Sequence, residues 1–226
     1  PLFGDTEIDI DIVNCHPNIL LSLVPESFDA EALSFYCNNR DKVIEMFSFD
    51  EKHLAELNKR KQTNYDCKDL VKTLFTILMY GGTVATWEKE FDMNSNTYTS
   101  PKFLTEYIEE LQMLASIIVR DKRFQDIKID TYQYKIKKEK EHKGDAFDEE
   151  KFSVSKSKHL AVILQDFERQ IVEEAMEFLK DNGVTITSYN YDGFQALKEG
   201  YQEEMIEDLN EHIQSKFWKN ISFIVK

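Results

Sequence analysis

Residues 8–13, IDIDIV, alternate apolar and acidic positions, which predicts a strand with one polar face. His16-Pro17 opens the apolar run NILLSLV, and a proline in the first turn suits a helix start. Residues 28–61 read as short amphipathic helices with charged outer faces. Residues 65–80 read as one helix ended by Gly81-Gly82, and Ser100-Pro101 starts another that runs to about Val119. The stretch 156–181 is strongly periodic, through Leu160, Ile163, Leu164, Phe167, Ile171, Ala175, Phe178 and Leu179, and Asn182-Gly183 stops it. Val184–Tyr191 then reads as a strand that turns at Asp192-Gly193 and restarts at Phe194, because Asp-Gly between apolar runs signals a hairpin. A helix near 201–216 and a last strand, ISFIV, follow. Within 126–154, IKIDTYQYKI predicts a strand and KKEKEHKGDAFDEEK an exposed charged loop.

This order predicts an α+β fold: a small antiparallel sheet carrying acidic residues, packed by many helices. The low count of turn formers, 7 Gly and 4 Pro in 226 residues, agrees with a helix-rich chain. The first residue is Pro, so the expectation is a piece of a longer protein. No apolar run reaches the roughly 18 residues of a membrane span. Cys15, Cys37 and Cys67 form neither a metal-ligand spacing nor an even framework, so reduced thiols and an intracellular location are expected. The net charge of −14 argues against non-specific nucleic-acid binding over the whole surface, but not against a local basic groove. Basic residues cluster at Lys59-Arg60-Lys61, at Lys68 and Lys72, at Lys135 to Lys143, and at Lys156 and Lys158.

Three stretches suggest chemistry when taken together. Asp9 and Asp11 lie two apart on the first predicted strand and share a face, where two carboxylates need a cation or base nearby. Lys68, Lys72, Thr76 and Tyr80 fall at intervals of four and share one helix stripe, offering cations at one end and an aromatic ring at the other. Such a stripe suits a triphosphate joined to a base. Asp192 stands at the hairpin tip. Phosphoryl transfer with two metal ions needs two such carboxylates, cations for the triphosphate and a platform for the base.

In this order the stretches resemble motifs A, B and C of the right-hand nucleic acid polymerases. The helix resembles motif B of family-A DNA polymerases and single-subunit phage RNA polymerases, through Lys68, Lys72, Thr76, Tyr80 and Gly81. Asp11 to Ile19 is closer to the D-x-x-S-L-Y-P-S-I motif of family-B polymerases. Asp192 sits where motif C places its Asp, preceded here by Tyr191 where a His is usual. About seventy residues separate Asp11 from Tyr80, and somewhat over a hundred separate Tyr80 from Asp192, as in family A. The chain departs from family A at Gly193, where a Glu is usual, and lacks the second Asp of family B. The mixed motifs point to a virus, phage or mobile-element enzyme acting inside a host cell.

The resemblance implies a palm over 1–27 and 126–226, with the long helix 156–181 and the motif-C hairpin 184–198. It implies a fingers-like region over 28–125, with the motif-B helix at 65–81. It implies template-directed addition of deoxynucleotides to a primer 3′-hydroxyl on a DNA primer-template, with two Mg²⁺ ions, or Mn²⁺ in their place. Asp11 and Asp192 would ligate the ions, with the Ile12 carbonyl and Asp9 as further ligands. Lys72 would contact a phosphate and protonate pyrophosphate, Lys68 would bind the β- and γ-phosphates, and Thr76 completes that stripe. Tyr80 would pack at the base or sugar, Gly81 would admit the template, and His16 would exclude a 2′-hydroxyl. Gln165 and Tyr191 would touch nucleic acid. Partners would include the remaining domains of the parent chain, a thumb and a helicase or primase among them. The competing expectations are an RNA polymerase or primase within the same class, a non-catalytic degenerate module, and a metal-dependent nuclease. The remaining histidines, His53, His142, His159 and His212, read as surface or helix-face residues, Trp87 and Trp218 as core, and the methionines as core filler.

Overall fold

The structure, a computed structural model, describes residues 6–144, 148 and 152–226. The chain divides into two compact units. A sheet unit holds residues 1–23 and 163–226, and a helical unit holds 24–162. The division expected from sequence assigned 126–162 to the sheet unit; in the structure this stretch belongs to the helical one.

The sheet unit is built on β1 (Glu7–Ile12), β4 (Ile186–Asn190), β5 (Gly193–Leu197) and β6 (Phe223–Val225), in the order β4-β5-β1-β6 with every pairing antiparallel. The alternation of β1 sets its two faces. Ile10 and Ile12 are buried, and their sheet partners are Phe194 and Phe223, whose rings lie 6.1 Å apart. Asp9 and Asp11 take the other face, opposite Gln195 and Gly193. Asn14 turns the chain from β1 into α1 (Cys15–Leu23) with φ +44°, a conformation asparagine tolerates better than most residues. The first turn of α1 therefore begins directly beyond the acidic end of β1. From the far end of the unit, α9 (Met205–Lys216) holds β6 through Asn210, which donates to the Phe223 carbonyl and accepts from the Phe223 N–H. His212 and Lys216 of α9 both reach Glu174 of α8 (Lys156–Asp181), whose residues from Ile163 onward belong to this unit.

The hairpin β4–β5 is real, but its turn differs from the expected one. The two loop residues are Tyr191 and Asp192, and Gly193 is already the first residue of β5. Neither loop residue has positive φ, so the turn is not type I′. Gly193 serves a different purpose. A Cβ there would lie 2.0 Å from Asp11 Oδ1 and 2.4 Å from the Ile10 carbonyl oxygen. It lets β5 approach β1 beneath an acidic side chain.

The helical unit contains α2 (Glu31–Glu45), α3 (Glu51–Lys61), α4 (Cys67–Met79), α5 (Val84–Phe91), α6 (Phe103–Ile118), α7 (Gln125–Lys143) and the first residues of α8, with a two-stranded ribbon of β2 (Ser48–Phe49) and β3 (Tyr98–Thr99). Its core is aromatic. Tyr36 stacks on Phe75 at 4.3 Å, Tyr107 meets Phe75 at 4.9 Å, and Trp87 donates its indole N–H to the Leu70 carbonyl. The strand expected at IKIDTYQYKI is instead part of α7, which continues through Lys143 into the segment expected to be a loop. The lysines and glutamates that follow are good helix formers and pair at i,i+4, as Glu139 does with Lys143, and these local terms outweigh a short period-two pattern. Residues 145–147 and 149–151 of that expected loop lie outside the described residues. Of the two readings offered for His159, surface or helix face, the structure shows the second, buried on α8, and Met46 and Met113 are exposed and not core filler. Among the described residues no helix is long and apolar enough to cross a membrane.

Candidate active site

The strand pairing gathers acids at one end of the sheet unit. Asp11 ends up opposite Gly193, and the Ile12 N–H donates to the Asp192 carbonyl at 2.9 Å, so β1 and the hairpin tip are fastened at the two aspartates. The Asp192 carboxyl is held above its ordinary value by partial burial first, and then by the charges of Asp11 and Glu168, while Lys226 acts in the opposite sense. Asp11 is 8% exposed and its partner is the Lys226 ammonium, from beyond β6. This hydrogen bond, and the neighbouring Asp192 and Asp9, raise the Lys226 pKa. Asp9 Oδ1 is buried and has no hydrogen-bond partner among the described residues. Three carboxylates thus stand around the Lys226 ammonium, one with an orphaned oxygen, although among the described residues they do not draw together as closely as the donor atoms of Cys15, His16 and Glu168 do. Tyr191 is 85% exposed at the tip.

A second group of side chains lies beside the first. Glu168 of α8 is buried. The Cys15 thiol donates to its Oε1 at 3.7 Å, and His16 Nε2 lies 3.4 Å from the same oxygen. Burial, with the charges of Glu168 and Asp192, pushes the Cys15 thiol far above its usual range, so it is held as a thiol. His16, expected at a sugar, thus stands at the start of α1 against Glu168. Gln165, on the same helix as Glu168, is exposed.

The helical unit holds the cationic stripe. Asp66 caps α4 and forms a reciprocal pair with Asp69, so the helix starts at the expected place. Lys68 is exposed and lies 3.3 Å from Asp41. Lys72 has its pKa lowered, by partial desolvation first and then by Arg40 and Lys68. The Thr76 hydroxyl donates to the Lys72 carbonyl, and Tyr80 caps the C-terminal end. Gly81, at φ +78°, permits a close approach within the protein: a Cβ there would lie 2.1 Å from the Cβ and Oγ of Ser157.

Four residues at these places escape a reading of the sequence. Lys226 and Arg40 carry no local signal, since a single cation gains meaning only from its neighbours. Cys15 falls in no Cys spacing, because its partner is 153 residues away. Glu168 did leave a trace: it falls four residues after Leu164 and three before Ile171, in the buried stripe of α8, where a charge is out of place. No protein-family model and no curated protein matches this chain.

Proposed function

We propose that the chain is the core of a template-directed nucleotidyltransferase that adds deoxynucleotides to a DNA primer. The observation that carries this reading is the register of β1 against the hairpin. It brings Asp11, Asp192 and Asp9, from opposite ends of the chain, to one sheet end, where Asp11 bears on Asp192 and all three bear on the Lys226 ammonium. Such carboxylates are what two divalent ions need in phosphoryl transfer. Magnesium bound there would polarise the phosphate and ease deprotonation of the attacking hydroxyl. Asp11 and Asp192 would hold the ions, with Asp9 and the Ile12 carbonyl as the further oxygens. Lys226 holds the cation's place on Asp11, and a metal ion there would have to take that place over. The Lys68, Lys72 and Arg40 cations are the candidates for the triphosphate, and the lowered pKa of Lys72 favours giving up a proton to pyrophosphate.

The test is single-nucleotide extension of a labelled primer-template with Mg²⁺ by the wild-type chain and by its Asp11→Asn and Asp192→Asn variants. The reading expects extension by the wild type and loss in both variants. Extension that survives Asp192→Asn sinks it.

A second reading, a non-catalytic module that binds nucleic acid, draws on two observations. Lys226 already neutralises Asp11, and Gly193 packs so closely that no third acid fits after Asp192. Duplex binding without extension by the wild type supports this reading over the first.

A further inference from the structure

The group around Glu168 carries an inference of its own, independent of the polymerase reading. Glu168 is a buried carboxylate, and among the described residues no lysine or arginine pairs with it. Its partners are a thiol and an imidazole. One donor atom from each, Cys15 Sγ, a His16 ring nitrogen and a Glu168 oxygen, all lie within 4.8 Å of one another. A tetrahedral zinc ion bound at the usual lengths sets its sulfur and oxygen ligands about 3.6 Å apart, and its nitrogen and oxygen ligands about 3.4 Å apart. The distances to Glu168 Oε1 are 3.7 Å from Cys15 Sγ and 3.4 Å from His16 Nε2. The donors therefore already stand along two edges of such a tetrahedron.

We propose that Cys15, His16 and Glu168 form a zinc site that joins the first turn of α1 to α8. The charge balance suits the burial. A thiolate, a carboxylate and a neutral imidazole bring −2 to a +2 ion, so the loaded site is neutral, which limits the cost of removing it from water. On binding, the Cys15 thiol releases its proton to solvent and the sulfur forms the metal bond. Three protein ligands leave one tetrahedral position for water or for an oxygen of a bound molecule. The thiolate selects against Mg²⁺, which takes oxygen ligands. The same assignment gives His16 a different task from the sugar gate implied by the resemblance.

The test uses the chelator-treated, dialysed chain and Co²⁺ as a spectroscopic stand-in for zinc. One equivalent of Co²⁺ should produce the near-ultraviolet charge-transfer band of a cobalt–thiolate bond, and zinc should erase it. Cys15→Ser should lose the band, while a chain with Cys37→Ser and Cys67→Ser keeps it. His16→Asn and Glu168→Gln should each weaken binding at least tenfold. X-ray absorption of the zinc-loaded wild type needs no variant, and should show one sulfur in the shell at about 2.3 Å. A band that persists in Cys15→Ser, or a zinc shell without sulfur, overturns the proposal. If His16→Ala leaves metal affinity intact but lets ribonucleotides be incorporated, the sugar-gate role stands and the zinc role falls.

Discussion

Among the described residues each unit buries one glutamate, and the two are treated in opposite ways. In the helical unit, Glu110 of α6 accepts hydrogen bonds from the Ala32 and Leu33 N–H groups, at 2.9 and 2.7 Å. These are unpaired donors at the start of α2, where Ala30 supplies no side-chain cap. Glu110 caps that helix from 78 residues away, and its charge meets the positive end of the helix dipole. Its two oxygens are satisfied by backbone, which leaves it nothing further to do. Glu168 in the sheet unit has no backbone donor among its described partners. It has a thiol and an imidazole, groups that can exchange a proton or a metal, with Asp192 near enough to feel its charge. Burial alone does not mark a functional acid; the chemistry of its partners does.

The aromatic core of the helical unit should dominate its stability. Trp87 is fully buried and hydrogen-bonded, so Trp87→Ala should destabilise by about 3–5 kcal/mol in chemical denaturation followed by circular dichroism. A loss below about 1 kcal/mol would mean that the core does not pack as described. Glu110→Ala should cost about 2–3 kcal/mol, since it strands two buried N–H groups that were bonded to a charge. In metal-free protein, Glu168→Gln should change stability by less than about 1 kcal/mol, because the amide keeps the shape and removes a buried charge. Equal losses in the two glutamate variants would erase the distinction between a structural and a functional acid.

Gly193→Ala comes next. The added methyl meets Asp11 and the β1 backbone, so we expect about 1–3 kcal/mol of strain, together with weaker metal binding at the aspartates, read by Mn²⁺ titration. Unchanged stability and unchanged Mn²⁺ affinity would show that the strands have room to part. The smallest effect is on pH dependence. The folded pKa of Asp192 is raised, so between the unfolded and folded values the native state binds the proton more than the unfolded chain does. Stability from this group is present below its unfolded pKa and declines as pH rises through the folded value. Asp192→Asn should flatten that decline. Carboxyl-carbon NMR of Asp192 should show an elevated midpoint, from burial and the Asp11 and Glu168 charges, that falls when Mg²⁺ is added. A midpoint in the ordinary aspartate range without metal would remove the electrostatic argument for the cluster.

Much of the fold is legible because its signals are local. The Gly81-Gly82 stop after 65–80, the period of 156–181 and the alternation of IDIDIV each act within one element, and α4, α8 and β1 form where these place them. The segment at α7 misleads for the same reason in reverse. Two local signals compete there, and the alternating isoleucines and tyrosines are weaker than the run of helix formers that continues past them. Within the candidate site, Asp11 and Asp192 can be named from residue type and order. The Asp-Gly dipeptide, however, reads as a turn, while in the structure the glycine is a point of contact between strands.

Local pattern was enough for the type of β1, α4, α8 and the β4–β5 hairpin, though not of α7, and for the sheet face on which Asp9 and Asp11 stand and the helix stripe that carries Lys68 and Lys72. Short-range hydrogen bonds and the periods of strand and helix decide these, and both can be counted along a chain. The tertiary structure alone decided that Lys226 would reach Asp11, that Arg40 would stand beside Lys72, and that Glu168 would meet Cys15 and His16. Those meetings depend on strand register and helix packing between segments as much as two hundred residues apart. There, the energy of one buried charge depends on which groups surround it and not on its neighbours in sequence.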